Sequence, residues 1–161
     1  MINLQMDLLR NVDLTTKSGK LVDSEVLRGK VVAFYFSAFW CEPCRRFNPI
    51  LRDFYVKAAL QGVEIVWFSR DETMESMEEY FKEHGNWLRA PFQQPGCKCC
   101  CLTFVKEQQG FNYLKKYHID SLPTLIVVKP DGTAVTKNGV DDVYNKDPED
   151  VIAEWKRLAS R

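Results

Sequence analysis

An uncharged run of six residues, Val31-Val32-Ala33-Phe34-Tyr35-Phe36, limits the folds open to this chain more than any other feature. It is too short for an ordinary helix, rich in residues that favour extended backbone, and apolar at successive rather than alternate positions. That pattern suits a strand buried on both faces of a sheet. Phe47, Ile50, Leu51, Phe54, Tyr55 and Ala59 then recur at helical spacing as far as Gln61-Gly62. Pro49 falls inside this stretch and predicts a kink. A second apolar run, Val63-Glu64-Ile65-Val66-Trp67-Phe68, repeats the first. Strand, helix and strand in this order imply parallel pairing through a right-handed crossover.

The flanking segments complete the outline. Before the first buried strand lie a short extended piece at Val12 to Thr15, a turn at Ser18-Gly19, and Leu21-Val22. After the second, Ser69, Asp71 or Thr73 can cap a helix whose stripe is Met74, Met77, Tyr80 and Phe81 and which Gly85-Asn86 ends. Residues 86–106 contain Pro91, Pro95, Gly96 and a group of cysteines and show no period. A short helix is expected around Phe111, Leu114 and Tyr117, leading to Ser121-Leu122-Pro123-Thr124. Leu125-Ile126-Val127-Val128 reads as a third strand, turned by Lys129-Pro130-Asp131-Gly132 into an antiparallel return over 133–136. Asp147 as cap, Pro148 at the first helical position, and Glu149 and Asp150 behind it start a last helix whose face is Val151, Ile152, Trp155, Leu158 and Ala159. The expectation is an α/β fold, a central mixed sheet with helices on both faces.

With 161 residues the chain suits a single domain, 1–161, and its 45% hydrophobic content is that of a globular protein. Twenty-two basic residues balance twenty-two acidic ones, so no overall field draws in nucleic acid or anionic lipid. No apolar run approaches the roughly 20 residues of a membrane span. Asp7, Arg10 and Asp13 interrupt the N-terminal stretch where a signal peptide would stay apolar, so a cytosolic or nuclear location is expected. Nucleic acid and membrane are not expected partners, and a monomer is expected.

Six cysteines fall into two groups, Cys41-Glu42-Pro43-Cys44 and Cys97-Lys98-Cys99-Cys100-Cys101. In a reducing compartment such groups point to redox chemistry or metal binding before structural bridges. The first pair lies where the first buried strand hands over to a helix, and that place has chemical consequences. A free thiol titrates near 8.5, so only about 3% is thiolate at neutral pH, whereas unpaired N–H groups at a helix N-terminus stabilise the anion. Cys41 at the rim would be the nucleophile, and Cys44 in the first turn would resolve the mixed disulfide. Pro43 restricts the backbone between them, Arg45 and Arg46 can add positive potential, and Glu42 opposes the thiolate. The competing reading is half of a zinc site.

Phe34-Tyr35-Phe36-Ser37-Ala38-Phe39-Trp40-Cys41-Glu42-Pro43-Cys44-Arg45 resembles the active-site segment of the tryparedoxin and nucleoredoxin branch of the thioredoxin superfamily. The resemblance continues through Phe47-Asn48-Pro49-Ile50-Leu51, Ser69-Arg70-Asp71-Glu72, Trp87 to Phe92, Tyr117 to Thr124 and Asp147-Pro148-Glu149. Nucleoredoxin-like proteins are the nearest match. The resemblance implies a thioredoxin-like fold, protein disulfide reductase activity and a cis peptide before Pro123. It also implies a substrate-docking surface made of Trp40, Glu42, Pro43, Leu122 and Pro123 around the catalytic Cys41 and Cys44. Client proteins with disulfides and an upstream thiol reductant or reductase would be the partners, with no cofactor. Tyr35 stands where thioredoxins proper carry a buried Asp, so a carboxylate's proton-shuttling role does not carry over. Glu42 replaces the first proline of the family's Trp-Cys-Pro-Pro-Cys, and the cysteine-rich segment from about 93 to 109 looks like an insertion.

Other constellations have simpler readings. Cys97, Cys99, Cys100 and Cys101 are read first as free thiols in a loop, then as accessory redox groups, and last as zinc or copper(I) ligands, because alternate side chains of an extended loop diverge. No metal is assigned to the main site. His84 and His118 near helix ends suit capping or exposure, Asp71-Glu72 suits a helix N-terminus, and Trp67 and Trp87 suit the core. Three functions remain distinct on these grounds: a catalytic thiol–disulfide oxidoreductase, a module whose binding of partners depends on the oxidation state of the dithiol, and a metal-site protein built on the Cys97 to Cys101 group.

Overall fold

The computed structural model describes residues 9–92 and 116–161. The expected cysteine-rich insertion at about 93–109, with the Cys97 to Cys101 group, lies outside the described residues, as does most of the short helix predicted around Phe111.

Among the described residues the chain order is β1 (Leu14–Thr15), β2 (Leu21–Val22), a 3-10 turn (Ser24–Leu27), β3 (Val31–Ser37), α1 (Glu42–Leu60), β4 (Val63–Ser69), α2 (Met74–Phe81), β5 (Leu88–Arg89), β6 (Thr124–Val128), β7 (Ala134–Thr136), α3 (Gly139–Asn145) and α4 (Pro148–Ala159). The strands form one sheet in the order β2-β1-β5-β4-β3-β6-β7. The two predicted strands are its centre: β3 and β4 pair in parallel from Val31↔Val63 to Ser37↔Ser69. β6 joins the other side of β3 antiparallel, with Phe34 opposite Ile126.

Because strand side chains alternate, the buried strands feed two cores. Ala33, Tyr35, Ile65, Trp67, Leu125 and Val127 face α1, α2, α3 and α4. Val32, Phe34, Phe36, Val66, Ile126 and Val128 face the other way, against Leu9, Leu14, Leu27 and Tyr117. The 3-10 turn and a helical turn at Lys116-Tyr117 lie on that second side. Both faces are thus covered, which is why β3 needs no polar alternation.

Two elements escape the periodicity of the sequence. β5 is only two residues long, and its position comes from pairing with β4 and β1. α3 holds two acids and one large buried apolar residue, Val143, so it shows no stripe. Pro49 lies within α1, which runs as one helix from Glu42 to Leu60. The last helix starts as read, with the Asp147 carboxylate accepting from the Glu149 N–H at 2.9 Å.

Candidate active site

β3 ends at Ser37, and four residues later the chain turns into α1. Cys41 is the cap of that helix: its backbone is extended, and its Sγ accepts from the Cys44 N–H at 3.3 Å. Pro43 sits in the first turn, where its missing N–H costs nothing. The three-residue separation brings the Cα atoms of Cys41 and Cys44 to 5.3 Å, and the two sulfurs are joined as a disulfide. Cys44 is fully buried, while Cys41 keeps 6% of its surface exposed, so an incoming group meets Cys41 first. Ala38 and Leu122 pack around the pair.

The loop before the helix is held by the loop after β4. The Arg70 N–H donates to the Ser37 carbonyl at 2.9 Å, and the Phe39 N–H donates to the Asp71 carboxylate at 2.8 Å. The Trp40 indole N–H reaches the Arg70 carbonyl at 3.3 Å, and the Ser69 hydroxyl closes the clamp on the second Asp71 oxygen. Asp71 is buried, and the cap of α2 is Thr73, whose hydroxyl accepts from the Ser76 N–H. The reading of Asp71 as an ordinary acid at a helix start is therefore corrected: it fixes the dithiol loop. Trp40 projects outward with 65% of its surface exposed.

A cleft of about 510 Å³ opens over the disulfide. It is lined by Trp40, Cys41, Glu42 and Pro43 from the start of α1, by Arg70 from the loop after β4, and by Ile119, Asp120, Ser121 and Leu122 from the segment before β6. The Leu122–Pro123 peptide is cis, as the resemblance implied. Of the expected docking residues, Trp40, Glu42, Pro43 and Leu122 line this cleft, whereas Pro123 lies just beyond its lining. Arg70, Asp120 and Ser121 were not singled out as site residues from the sequence. The signal available was the loop Ser69-Arg70-Asp71 at the C-terminal end of a parallel strand, the edge of an α/β sheet where ligands bind.

Charges near the dithiol are largely spent within the protein. Arg46 pairs with Glu42 at 3.4 Å, and Arg45 pairs with Glu83 at 3.6 Å while its guanidinium lies over the Phe39 ring. On β3, the buried Tyr35 hydroxyl donates to the Asn48 side-chain oxygen at 3.3 Å. Burial above all, with Tyr80 beside it, pushes its pKa up, so it is a neutral phenol and no carboxylate replaces it. His84, expected as a capping or exposed residue, is instead buried. Its Nδ1 accepts from the Trp87 indole at 3.0 Å, and its ring centre lies 4.1 Å from that of Trp67. Burial, with Lys17 nearby, drives its pKa well below the ordinary value. Among the described residues no group of three or more His, Cys, Asp or Glu could hold a metal, and no helix is long and apolar enough to cross a membrane.

A family described as Thioredoxin-like matches residues 29–134. Mouse (Mus musculus) nucleoredoxin is 36% identical over 134 residues, which cover 82% of this chain and 28% of that protein. This chain thus spans less than a third of the nucleoredoxins it matches. Tryparedoxin of Trypanosoma brucei brucei is 33% identical over 144 residues, covering 89% of this chain and 90% of the relative. Among solved structures, a thioredoxin from Wuchereria bancrofti superposes with a TM-score of 0.72 at 39% identity, covering 94% of this chain and 98% of the other. Tryparedoxin II in complex with glutathionylspermidine superposes with a TM-score of 0.72 at 30% identity, over 86% and 88% of the two chains. With its paired cysteines at the mouth of α1, its cis peptide and these relatives, the chain belongs to the thioredoxin-like family of oxidoreductases, among the nucleoredoxins and tryparedoxins.

Proposed function

We propose that this chain is a thiol–disulfide oxidoreductase that reduces protein disulfides. The carrying observation is the Cys41–Cys44 disulfide, seated at a helix N-terminus with only Cys41 reachable from the cleft. A two-electron thiol reductant first converts this disulfide to the dithiol. The Cys41 thiolate, stabilised by the α1 N-terminus, then attacks one sulfur of the substrate. One Cys41–substrate S–S bond forms as the substrate disulfide breaks, and the leaving thiolate takes up a proton. The Cys44 thiol loses its proton and attacks the Cys41 sulfur, which releases the second substrate thiol and restores the internal disulfide. For the reductant, a small-molecule thiol is supported by the tryparedoxin II structure that holds glutathionylspermidine. A reducing compartment, cytosolic or nuclear, fits this cycle. Pro123, beside the cleft, serves with Leu122 in substrate docking.

Insulin reduction with dithiothreitol as electron source tests the reading. Replacing Cys41 by Ser is expected to abolish turnover, and Cys44→Ser to accumulate covalent mixed disulfides. Turnover by Cys41→Ser at the wild-type rate would defeat the proposal. The exposed Trp40 favours, as a second reading, a module that binds partners according to redox state. Partners retained equally by a Cys41→Ser/Cys44→Ser double variant would support it.

A further inference from the structure

Arg70 differs from every other described cation near the dithiol. Its backbone is fixed at both ends, the N–H on Ser37 and the carbonyl on the Trp40 indole, so its side chain starts from a defined place beside Trp40. Arg70 lines the cleft that holds Cys41 and is partly buried. Arg45 and Arg46 have carboxylate partners, but among the described residues no carboxylate lies within ion-pair distance of Arg70. Burial pulls its pKa down, the sign of a cation that has lost water without gaining an anion.

The segment before the cis peptide carries the reverse charge. Asp120 lines the cleft from the segment before the cis peptide and makes no ion pair among the described residues. Glu42, the other acid of the lining, is engaged by Arg46. The lining thus carries both signs, a cation on the loop after β4 and an acid on the segment before β6, and those strands lie on opposite sides of β3. A planar guanidinium presents a fork that matches a carboxylate, and such a pair is stronger where water is partly excluded.

We propose that Arg70 is a specificity-determining residue that receives the carboxylate of an Asp or Glu flanking the reacting cysteine of a peptide disulfide, with Asp120 disfavouring acid on the other side. This rests on the oxidoreductase reading and adds a substrate class to it: protein disulfides in acidic surroundings. An extended peptide crossing Cys41 from the β4 side of β3 to the β6 side would meet both charges, one on each side of its cysteine. The exposed Trp40 face supplies an apolar anchor beside Arg70.

The test uses the full chain, reduced with dithiothreitol and freed of it, in single turnover against two-chain peptide disulfides that carry Glu, Gln or Lys beside the cysteine. Wild-type protein should react about tenfold faster with the Glu peptide than with the Gln peptide, the size of one charge-assisted hydrogen bond. In Arg70→Gln that preference should vanish, in Arg70→Glu it should pass to the Lys peptide, and Arg70→Lys should keep part of it. High salt should shrink it in the wild type. An unchanged preference in Arg70→Gln would overturn the inference. So would an equal slowing on all three peptides with a raised thiol pKa, read from the pH dependence of iodoacetamide alkylation, since Arg70 would then act on Cys41 and not on substrate. If the reduced protein alkylates normally yet releases thiol from none of the peptides, the oxidoreductase reading falls as well. Equal wild-type rates on all three remove only the specificity.

Discussion

Two buried side chains show how single residues act, one on the dithiol loop and one on stability. Asp71 accepts the Phe39 N–H and the Ser69 hydroxyl, so Asp71→Ala leaves a backbone donor without its partner beside the catalytic loop. A loss of about 1–3 kcal/mol in urea unfolding is expected, with roughly tenfold lower kcat/KM for insulin as Trp40 and Cys41 lose their fixed placement. His84 acts through protonation. In the unfolded chain it takes a proton at the usual histidine pKa of about 6.5, whereas in the folded protein burial and Lys17 hold it neutral. The unfolded state therefore binds more protons below that pH, and stability present above it is lost as the pH falls toward the depressed folded value. Unfolding free energy should fall as the pH drops below about 6.5, through the contribution of this group. His84→Gln should flatten that part of the profile, as urea titrations at several pH values would show. Tyr35 and Tyr80 lie against the same ring, but neither ionises in this range, since burial raises both.

At the level of elements, α1 is organised by its first turn and tolerates an internal proline. Pro49 cannot donate to the Arg45 carbonyl, yet the helix continues because its buried face, Phe47, Leu51, Phe54, Tyr55 and Ala58, is anchored in the core. The proline is exposed, so its cost is not recovered by packing. Pro49→Ala is expected to raise stability by about 1 kcal/mol, measured as a higher urea midpoint, without changing the insulin rate. α2 is closed differently. The Lys17 ammonium, from the turn between β1 and β2, donates to the carbonyls of Phe81, Lys82 and His84 and satisfies the end that α2 leaves open. This contact ties the β1–β2 hairpin to the loop that carries His84.

Over the whole molecule, the dithiol's position depends on three loops meeting at one end of the sheet: 37–41 after β3, 69–71 after β4, and 119–123 before β6. Their meeting requires β6 to hold its register against β3, and α3 secures β6 from outside. Gly139 at the start of α3 sits so close that an added Cβ would lie 2.6 Å from the Leu125 carbonyl oxygen. Gly139→Ala should therefore force α3 from β6 and cost about 1–3 kcal/mol in urea unfolding, with insulin turnover falling too as the cis-peptide wall shifts.

The chain's own pattern determined the buried centre of the sheet, the two long helices after β3 and before the C-terminus, and the dithiol at a helix start. Each of these is a local signal: an uninterrupted apolar run, a repeat of three to four residues, a cap residue or a two-residue gap between thiols. Contacts between distant segments decided the rest. β5 and α3 exist because neighbours offer them pairing and packing, not because their few residues carry a period. His84 is buried because α2, Trp67 and Trp87 close around it. The cleft likewise brings Arg70 and Asp120, 50 positions apart, into one lining, and no local rule of spacing encodes two charges gathered only by the order of strands in a folded sheet.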